Sequence, residues 1–592
     1  MSPGDTSGRL LLGLASIAVA FAAADTYVVV LALPDMMTSV GVEVIQLQRA
    51  APIVSGFLLG YVAMLPLIGR IADLRGRLPV LTAALVVFAL GSLVTALAYD
   101  MPSIVTGRFL QGVGGGGLVP ATLALVADLY PVHRRGVPLG VVSAVQEIGS
   151  VLGPLFGALV LSIADWRAIF LINLAVGLVL AAALRSISGG RAALAGRAAS
   201  EASGRSRPPD VVGGLLLLIT LVAGALVFTQ PPPIMEDLTW GQVFIPFAGD
   251  GRWLTPVGAV AITAAALFLA RCSFARRPLV DLRGWGRSAR EADLPGALLL
   301  AVALSGVILA FATADPKVQV FSDQGLWYLA GGALAAVLYV RHQRRTATPL
   351  VPHGALSATP AWGSLVVSFF IGAALIAALI DIPLFARTTI YPDSQLQAAL
   401  VLVRFLVTLP VGAIVGGYLT RRVPAGVVTA VGMLLAATGF LLMSGWDITT
   451  LEHASATVPL VVGGLGFGLA LAPVNAAVLA TTADEVHGLS TALVVVARMV
   501  GMLVGISALT TIGLRSYYSE QGGLPTVREA CDGKSRCAEF TLLLKEAGIA
   551  QEQTVFLGAA VCAVIAAVLA LILFRDAATR DLAARDLLRA AG

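Results

Sequence analysis

At 592 residues, the chain is 58% hydrophobic and only 12% charged, with a mean hydropathy of +0.90. A water-soluble domain carries about 25% charged residues, so half of the usual solvated surface is missing and a soluble globular fold is excluded. The net charge of +5 resides in short arginine clusters between apolar runs, which is how loops anchor membrane topology and not how a nucleic-acid footprint is built, so no nucleic-acid partner is expected.

About 20 apolar residues span a bilayer core, and sixteen runs in the chain reach that length. The first, Leu10 to Leu33, is too long for a signal-peptide core, contains Asp25 and reads as a spanning helix. The turn after the second run is Gly69-Arg70-Ile71-Ala72-Asp73-Leu74-Arg75-Gly76-Arg77, where glycines permit a tight bend and Asp73 can meet an arginine or a helix N-terminus. The fourth run carries Gly107-Arg108-Phe109-Leu110-Gln111-Gly112 and then Gly114 to Gly117. The fifth carries Glu147 and the spaced small residues Gly149, Gly153 and Gly157 with Pro154, a face on which helices can approach closely. The sixth opens on Trp166-Arg167-Ala168-Ile169-Phe170-Leu171-Ile172-Asn173.

Beyond a polar linker the chain repeats itself. Asp210-Val-Val-Gly-Gly-Leu opens one helical hairpin (210–272) and Asp293-Leu-Pro-Gly-Ala-Leu opens another (293–341). They end in Arg276-Arg277-Pro278-Leu279-Val280 and in Arg344-Arg345 followed by Pro349-Leu350-Val351, which reads as a tandem duplication. Six further runs follow, with Asp381, Arg404, Asn475 and Arg498 in the seventh, eighth, tenth and eleventh helices of the two main bundles. The expected division is an N-terminal six-helix bundle (1–188), a linker with inserted helices (189–360), a C-terminal six-helix bundle (361–575) and a cytoplasmic tail (576–592). The C-terminal bundle includes an outer segment, 515–552, that contains Cys531 and Cys537. On the exported side these two thiols can form a small disulfide loop, and no nearby histidine or second cysteine pair supports a metal site.

Arginine clusters at Arg70/Arg75/Arg77, His133/Arg134/Arg135, Arg185 to Arg207, Arg271 to Arg290, Arg341/Arg344/Arg345, Arg421/Arg422 and Arg575 to Arg589 fall at every second connection. The positive-inside rule then places both termini in the cytoplasm. Helix-pair counting keeps the two outer bundles in the same orientation, the parallel-repeat arrangement. The fold class is therefore an all-α polytopic membrane protein of two six-helix bundles plus four inserted helices, about sixteen spans in all.

These segments resemble the motifs of the major facilitator superfamily. The turn at Gly69, Asp73, Arg75, Gly76 and Arg77 is similar to that family's cytoplasmic G-x3-D-[RK]-x-G-R motif, with Leu74 where a base is usual. Gly149, Gly153, Pro154 and Gly157 resemble its antiporter motif G-x3-G-P-x-x-G, and Arg108-Phe-Leu-Gln111-Gly112 its R-x-x-Q-G motif. Asp25-Thr-Tyr-Val-Val-Val and Trp166 to Asn173 look like the fourteen-helix drug:proton antiporter branch. With Gln146-Glu147-Ile-Gly-Ser-Val-Leu-Gly-Pro-Leu and the stretch from Val494 through Arg498 to Gly505, they are similar to mycobacterial triacylglyceride exporters that work with a lipid-binding lipoprotein. The resemblance implies a multi-pass transporter of the bacterial inner membrane, monomeric, powered by the proton gradient without a bound cofactor, and a periplasmic lipoprotein as partner. It implies a conformational latch at Asp73 and its neighbours. The second inserted hairpin departs from the family's fourteen helices.

An ionisable side chain at mid-bilayer costs at least ~2.5 kcal/mol, so each needs a reason. Asp25, Arg108, Glu147, Asp381, Arg404 and Arg498 are three acids and three bases, which suggests pairing inside the bundles. Asp381 with Arg404 reads equally well as a structural bridge or a functional one. Burial favours a neutral carboxyl and an approaching guanidinium favours its ionised form, so an acid that gains and loses an arginine can load and release a proton. Asp25 and Glu147 are the expected proton-coupling acids, with Arg404 or Arg498 meeting Glu147 across the halves. Asn475 and Tyr27 read first as packing residues.

Aromatic residues make up only 7%, and the helices are rich in Ala, Leu, Val and Gly, so a smooth aliphatic cavity suited to acyl chains is expected. Lipid export towards the periplasmic side is the favoured activity. A proton-driven multidrug exporter shares every motif, and a non-transporting receptor is the remaining alternative. No HExxH, GxSxG, P-loop or paired metal-ligand cluster occurs, so an enzyme is not expected. His133, His342, His353, His453 and His487 read as solvated loop residues.

Overall fold

A computed structural model describes residues 3–41, 47–197, 210–237, 239–249, 251–275, 278–312, 324–391, 394–525, 529, 531 and 537–579. The linker arginines Arg205 and Arg207, Arg276 and Arg277, the outer connection at 314–323 and the tail beyond Thr579 lie outside the described residues, as do the side chains of Tyr27, His133, Pro154, Arg191 and Arg197.

The first bundle comprises α1 (Pro3–Ser39), α2 (Leu47–Arg75), α3 (Arg77–Leu97), α4 (Met101–Leu129), α5 (Gly136–Leu161) and α6 (Arg167–Arg197). The insert comprises α7 (Val211–Thr229), the short α8 (Pro232–Met235), α9 (Pro256–Phe274), α10 (Leu282–Glu291), α11 (Leu294–Ala312) and α12 (Gly325–Arg345). The second bundle comprises α13 (Thr359–Thr389), α14 (Gln395–Leu406), α15 (Thr408–Leu419), α16 (Ala425–Met443), α17 (Thr457–Thr481), α18 (His487–Gly522) and α19 (Ala538–Leu573). Among the described residues, fourteen helices are long and apolar enough to cross a membrane, α14 and α15 counting as one. The two remaining long helices are α5 and α12, of 26 and 21 residues. With them, the sixteen expected runs all correspond to helical segments.

Local chemistry sets several of these boundaries. Asp100 caps α4 by accepting the Ser103 N–H at 3.0 Å, while the Ser103 hydroxyl receives the Asp100 N–H at 3.2 Å. Only Gly76 separates α2 from α3, and its φ of 93° is open to glycine alone at little cost. The eighth helix of the two main bundles breaks at Val407, between α14 and α15, because Pro410 offers no N–H to the Leu406 carbonyl.

In the first bundle α1 packs on α5, α2 and α6 flank α3 and α4, and α3 pairs with both α4 and α6. The same pairings recur as α13 with α18, α15 with α17, and α16 with α17 and α19, which makes the halves parallel repeats. The halves meet where α2 and α4 touch α18 and where α5 touches α15 and α17. Both seams are narrow at the arginine-rich end. A Cβ at Gly69 would lie 2.5 Å from the Gly488 carbonyl, and one at Gly136 would strike the Gly417 carbonyl.

Residues 515–552, expected as an outer segment, are largely helical. α18 and α19 each run for 36 residues, about 54 Å at 1.5 Å per residue, well beyond a ~30 Å bilayer core. Cys531 and Cys537 are joined by a disulfide in the turn between them. The connection between the inserted hairpins, expected as a simple basic loop, contains the amphipathic helix α10, which rests on α2.

Candidate functional site

Asp25 is a buried acid held by side-chain donors from α4 and α6. Arg108 Nη1 donates to its Oδ2 at 2.7 Å, Asn173 Nδ2 donates to its Oδ1, and Gln111 Nε2 approaches Oδ1 at 3.4 Å. Asp25 is 2% and Arg108 1% exposed, so neither is screened by water. Arg108 also stands 4.5 Å over the Phe57 ring, and Gln111 Nε2 donates to Ser92 Oγ at 2.8 Å. The network ties α1, α3, α4 and α6 together. The close approach of α5 to α1 comes from Gly149 and Gly153, whose added Cβ atoms would strike the carbonyls of Ala20 and Ala24; Gly157 is buried on the same helix.

Between the halves lies a cavity of about 50 Å³. Ala22, Ala23 and Thr26 of α1, Phe57 and Tyr61 of α2, Glu147 of α5, Leu375 of α13, and Arg498, Met499 and Met502 of α18 contribute to its wall. Glu147 belongs to the first half and Arg498 to the second, so the cavity sets one acid and one base against each other in an otherwise mainly apolar lining. The charge of Arg498 acts on both Glu147 and Tyr61. Phe57, Tyr61 and the two methionines make the lining less purely aliphatic than expected. A space of this size holds water and not a lipid.

Arg404, expected to be buried and to pair with Asp381 or Glu147, does neither. It is exposed and donates to Thr457 Oγ1 at 3.2 Å, one turn before the break at Val407. Asp381 instead lies close enough to Glu552 of α19, a residue the sequence reading left in the outer segment, for the two carboxyl groups to interact. Both are buried, and Gln551 Nε2 reaches Glu552 Oε1 at 3.4 Å. Ionised carboxylates are acceptors only, so a bond between two carboxyl groups requires a proton on one of them. Asn475 is buried, donates to its own helix at Leu471 O, and leaves its Oδ1 unpartnered.

At the cytoplasmic end, Asp73 does both things its sequence position suggested. It accepts the N–H groups of Gly488 (2.7 Å) and Leu489 (2.9 Å) at the start of α18, and it pairs with Arg77 Nη1 at 2.6 Å. Arg70 donates to the Glu485 carbonyl at 3.0 Å and Arg77 to the Asp484 carbonyl at 3.3 Å, so one motif fastens α2 to α18. Arg75 faces the other way, onto Asp281 (3.2 Å) and over the Trp285 ring (4.5 Å) of α10. Of the histidines expected to be solvated loop residues, His487 is buried at the start of α18, and His342, in the last turn of α12, is part-buried and lies 2.7 Å from Asp293.

Glu552 and Asn173 are the site residues that sequence reasoning missed. Asn173 was visible as the end of the Trp166 motif, whereas Glu552 follows Lys545 and Glu546 in a stretch that reads as polar. Among the described residues no group of three or more metal-ligating side chains occurs.

The pattern of the Major Facilitator Superfamily matches residues 15–339. A triacylglyceride transporter of Mycobacteroides abscessus is 33% identical over 541 residues, 90% of this chain and 87% of that protein. A triacylglyceride transporter of Mycolicibacterium smegmatis is 32% identical over 95% of this chain and 87% of its own length. In fold, the chain is similar to the proton:xylose symporter XylE bound to 6-bromo-6-deoxy-D-glucose, with a TM-score of 0.54 at 13% identity and coverage of 99% and 98% of the two chains.

Proposed function

The chain belongs to the Major Facilitator Superfamily, and from that premise we propose that it is a proton-coupled exporter of triacylglyceride-like lipid from the bacterial inner membrane towards the periplasmic side. The observation that carries the reading is the central cavity, mainly apolar and crossed by a single opposed acid and base from the two halves. Lipid acyl chains need an apolar path, and the two mycobacterial relatives carry the name of that cargo over nearly their whole length.

In this mechanism Glu147 is the proton carrier. Burial between the halves favours its neutral form and the charge of Arg498 favours its ionised form, so movement of the halves shifts the balance and loads or releases the proton. Asp25, saturated by Arg108, Asn173 and Gln111, holds α1 in register. Asp73 acts as the latch, because its two N–H bonds to α18 must break for the cytoplasmic seam to open, while its pair with Arg77 stays within the first half. The cavity must expand several-fold to admit lipid, so cargo enters in a different conformation. A periplasmic lipid-binding lipoprotein as acceptor, and a monomeric working unit, complete the reading.

The test is uptake of labelled triacylglyceride and of a cationic dye, side by side, by inverted and energised membrane vesicles. Gradient-dependent lipid uptake supports the reading. Dye uptake without lipid uptake replaces the cargo with drugs, and uptake of neither removes transport.

A further inference from the structure

The two inserted hairpins are fastened on one plan. In the first, Asp210 accepts the Gly213 N–H (3.0 Å) at the start of α7, Arg271 Nε and Nη2 from the last turn of α9 (2.8 and 2.7 Å) and the Leu279 N–H (3.2 Å). In the second, Asp293 accepts the Gly296 N–H (3.1 Å) at the start of α11, meets His342 Nε2 from the last turn of α12 (2.7 Å) and accepts the Leu350 N–H (3.1 Å). Arg271 and His342 each stand eight residues before the leucine of a Pro-Leu-Val. The register is shared, and the chemical difference is an arginine in one copy and a histidine in the other.

The hairpins also differ in where they sit. The first touches the main body at its outer end, where Phe228 meets Tyr99 at 5.5 Å and Arg252 stacks over the same ring at 4.1 Å. In the second, α11 runs along α2 and touches α18, over one of the two seams between the halves, and its Ala297 and Ile308 are buried in the main core. The histidine therefore belongs to the hairpin that covers a moving joint.

We propose that the Asp293–His342 contact is a cytoplasmic proton-binding site, separate from the transport pathway, that sets how firmly the α11–α12 hairpin covers the α2–α18 seam. With a proton on His342 the contact is a charge-assisted bond that draws the cytoplasmic ends of α11 and α12 together, as Arg271 does in the first hairpin. Without it, the contact falls to a neutral hydrogen bond, shared with the Thr346 hydroxyl 3.1 Å from the same nitrogen.

Histidine is the side chain whose ordinary ionisation falls between pH 5 and 8. The first hairpin has no such group. Arg271 stays charged, and its guanidinium, with the Gly213 N–H, holds the Asp210 carboxyl below the usual carboxylate range. Other ionisable groups around His342 are Asp293 at the start of α11, Tyr339, Arg341, Arg344 and Arg345 on α12, and Arg290 and Glu291 from α10. Arg70, Asp73 and Arg75 of α2 and Glu485 and His487 at the start of α18 reach the same end. Of the groups around the contact itself, the arginines and the tyrosine keep their charge state across that range. The sign follows: the clamp is strongest with the proton on His342 and weakens to a neutral hydrogen bond without it. Acidification of the cytoplasm tightens the cover, and alkalinisation slackens it.

Hydrogen–deuterium exchange in lipid nanodiscs tests this, with labelling times corrected for intrinsic exchange at pH 6 and pH 8. In the full-length wild type, exchange in peptides from the last turns of α12 and the first turns of α11 should rise about five-fold from pH 6 to pH 8, the ratio expected when a charged bond becomes a neutral one. The matching peptides of α7 and α9 should not change. His342→Arg should abolish the response while preserving the hairpin, since it reproduces the first copy, and Arg271→His should transfer the response to α7 and α9. Equal behaviour of the two hairpins in the wild type, or persistence of the response in His342→Arg, overturns the proposal.

Discussion

The two halves of the molecule share a helix-packing plan but treat their buried acids in opposite ways. In the first half Asp25 sits among donors, with a guanidinium, an amide from Asn173 and a second amide from Gln111. In the second half Asp381 and Glu552 face each other, with Gln551 as the donor reaching the pair. A buried carboxylate with its own arginine is a fixed charge that holds helices in register. Two buried carboxyl groups set beside each other disfavour double ionisation, which ties their protonation to the packing around them. Glu147 belongs to neither class, because its arginine comes from the other half and can leave.

The comparison breaks most visibly at Arg108. Arg108→Met keeps most of the side-chain volume but strands Asp25 without a cation, and should lower stability by about 3–5 kcal/mol, read as a fall in melting temperature in detergent. Asn173→Ala removes one donor and leaves the guanidinium in place, so a smaller loss of about 1–2 kcal/mol is expected from the same melting experiment. At the other pole, Glu552→Gln gives the second half an amide donor and removes a buried charge. Its stability should stay within about 1 kcal/mol of wild type or rise. A loss at Glu552→Gln as large as that at Arg108→Met would erase the distinction between the halves.

Much of this was legible in the sequence. Apolar runs marked the long helices, arginine clusters supplied an expected orientation, and the Asp73 turn lies between an arginine and a helix N-terminus. The list of buried ions was largely right, but the pairings were not. Which acid meets which base depends on helix rotation, and Arg404, one turn before the break at Val407, is exposed. Glu552 was hidden because α19 extends through residues whose local polarity suggests a loop. His342 was taken for a loop residue because Arg341, Arg344 and Arg345 surround it, whereas those arginines form the basic last turn of a helix. The hairpin duplication was visible as a repeat, but the exchange of Arg271 for His342 gained meaning only when both were found on equivalent aspartates.

The central claim is that Glu147 moves the proton that drives lipid out. In proteoliposomes carrying an internal pH dye, triacylglyceride supplied on the cytoplasmic face should evoke a proton flux in the wild type. Glu147→Gln should abolish that flux while leaving the melting temperature unchanged. A lipid-evoked proton flux of wild-type size in Glu147→Gln would contradict the account.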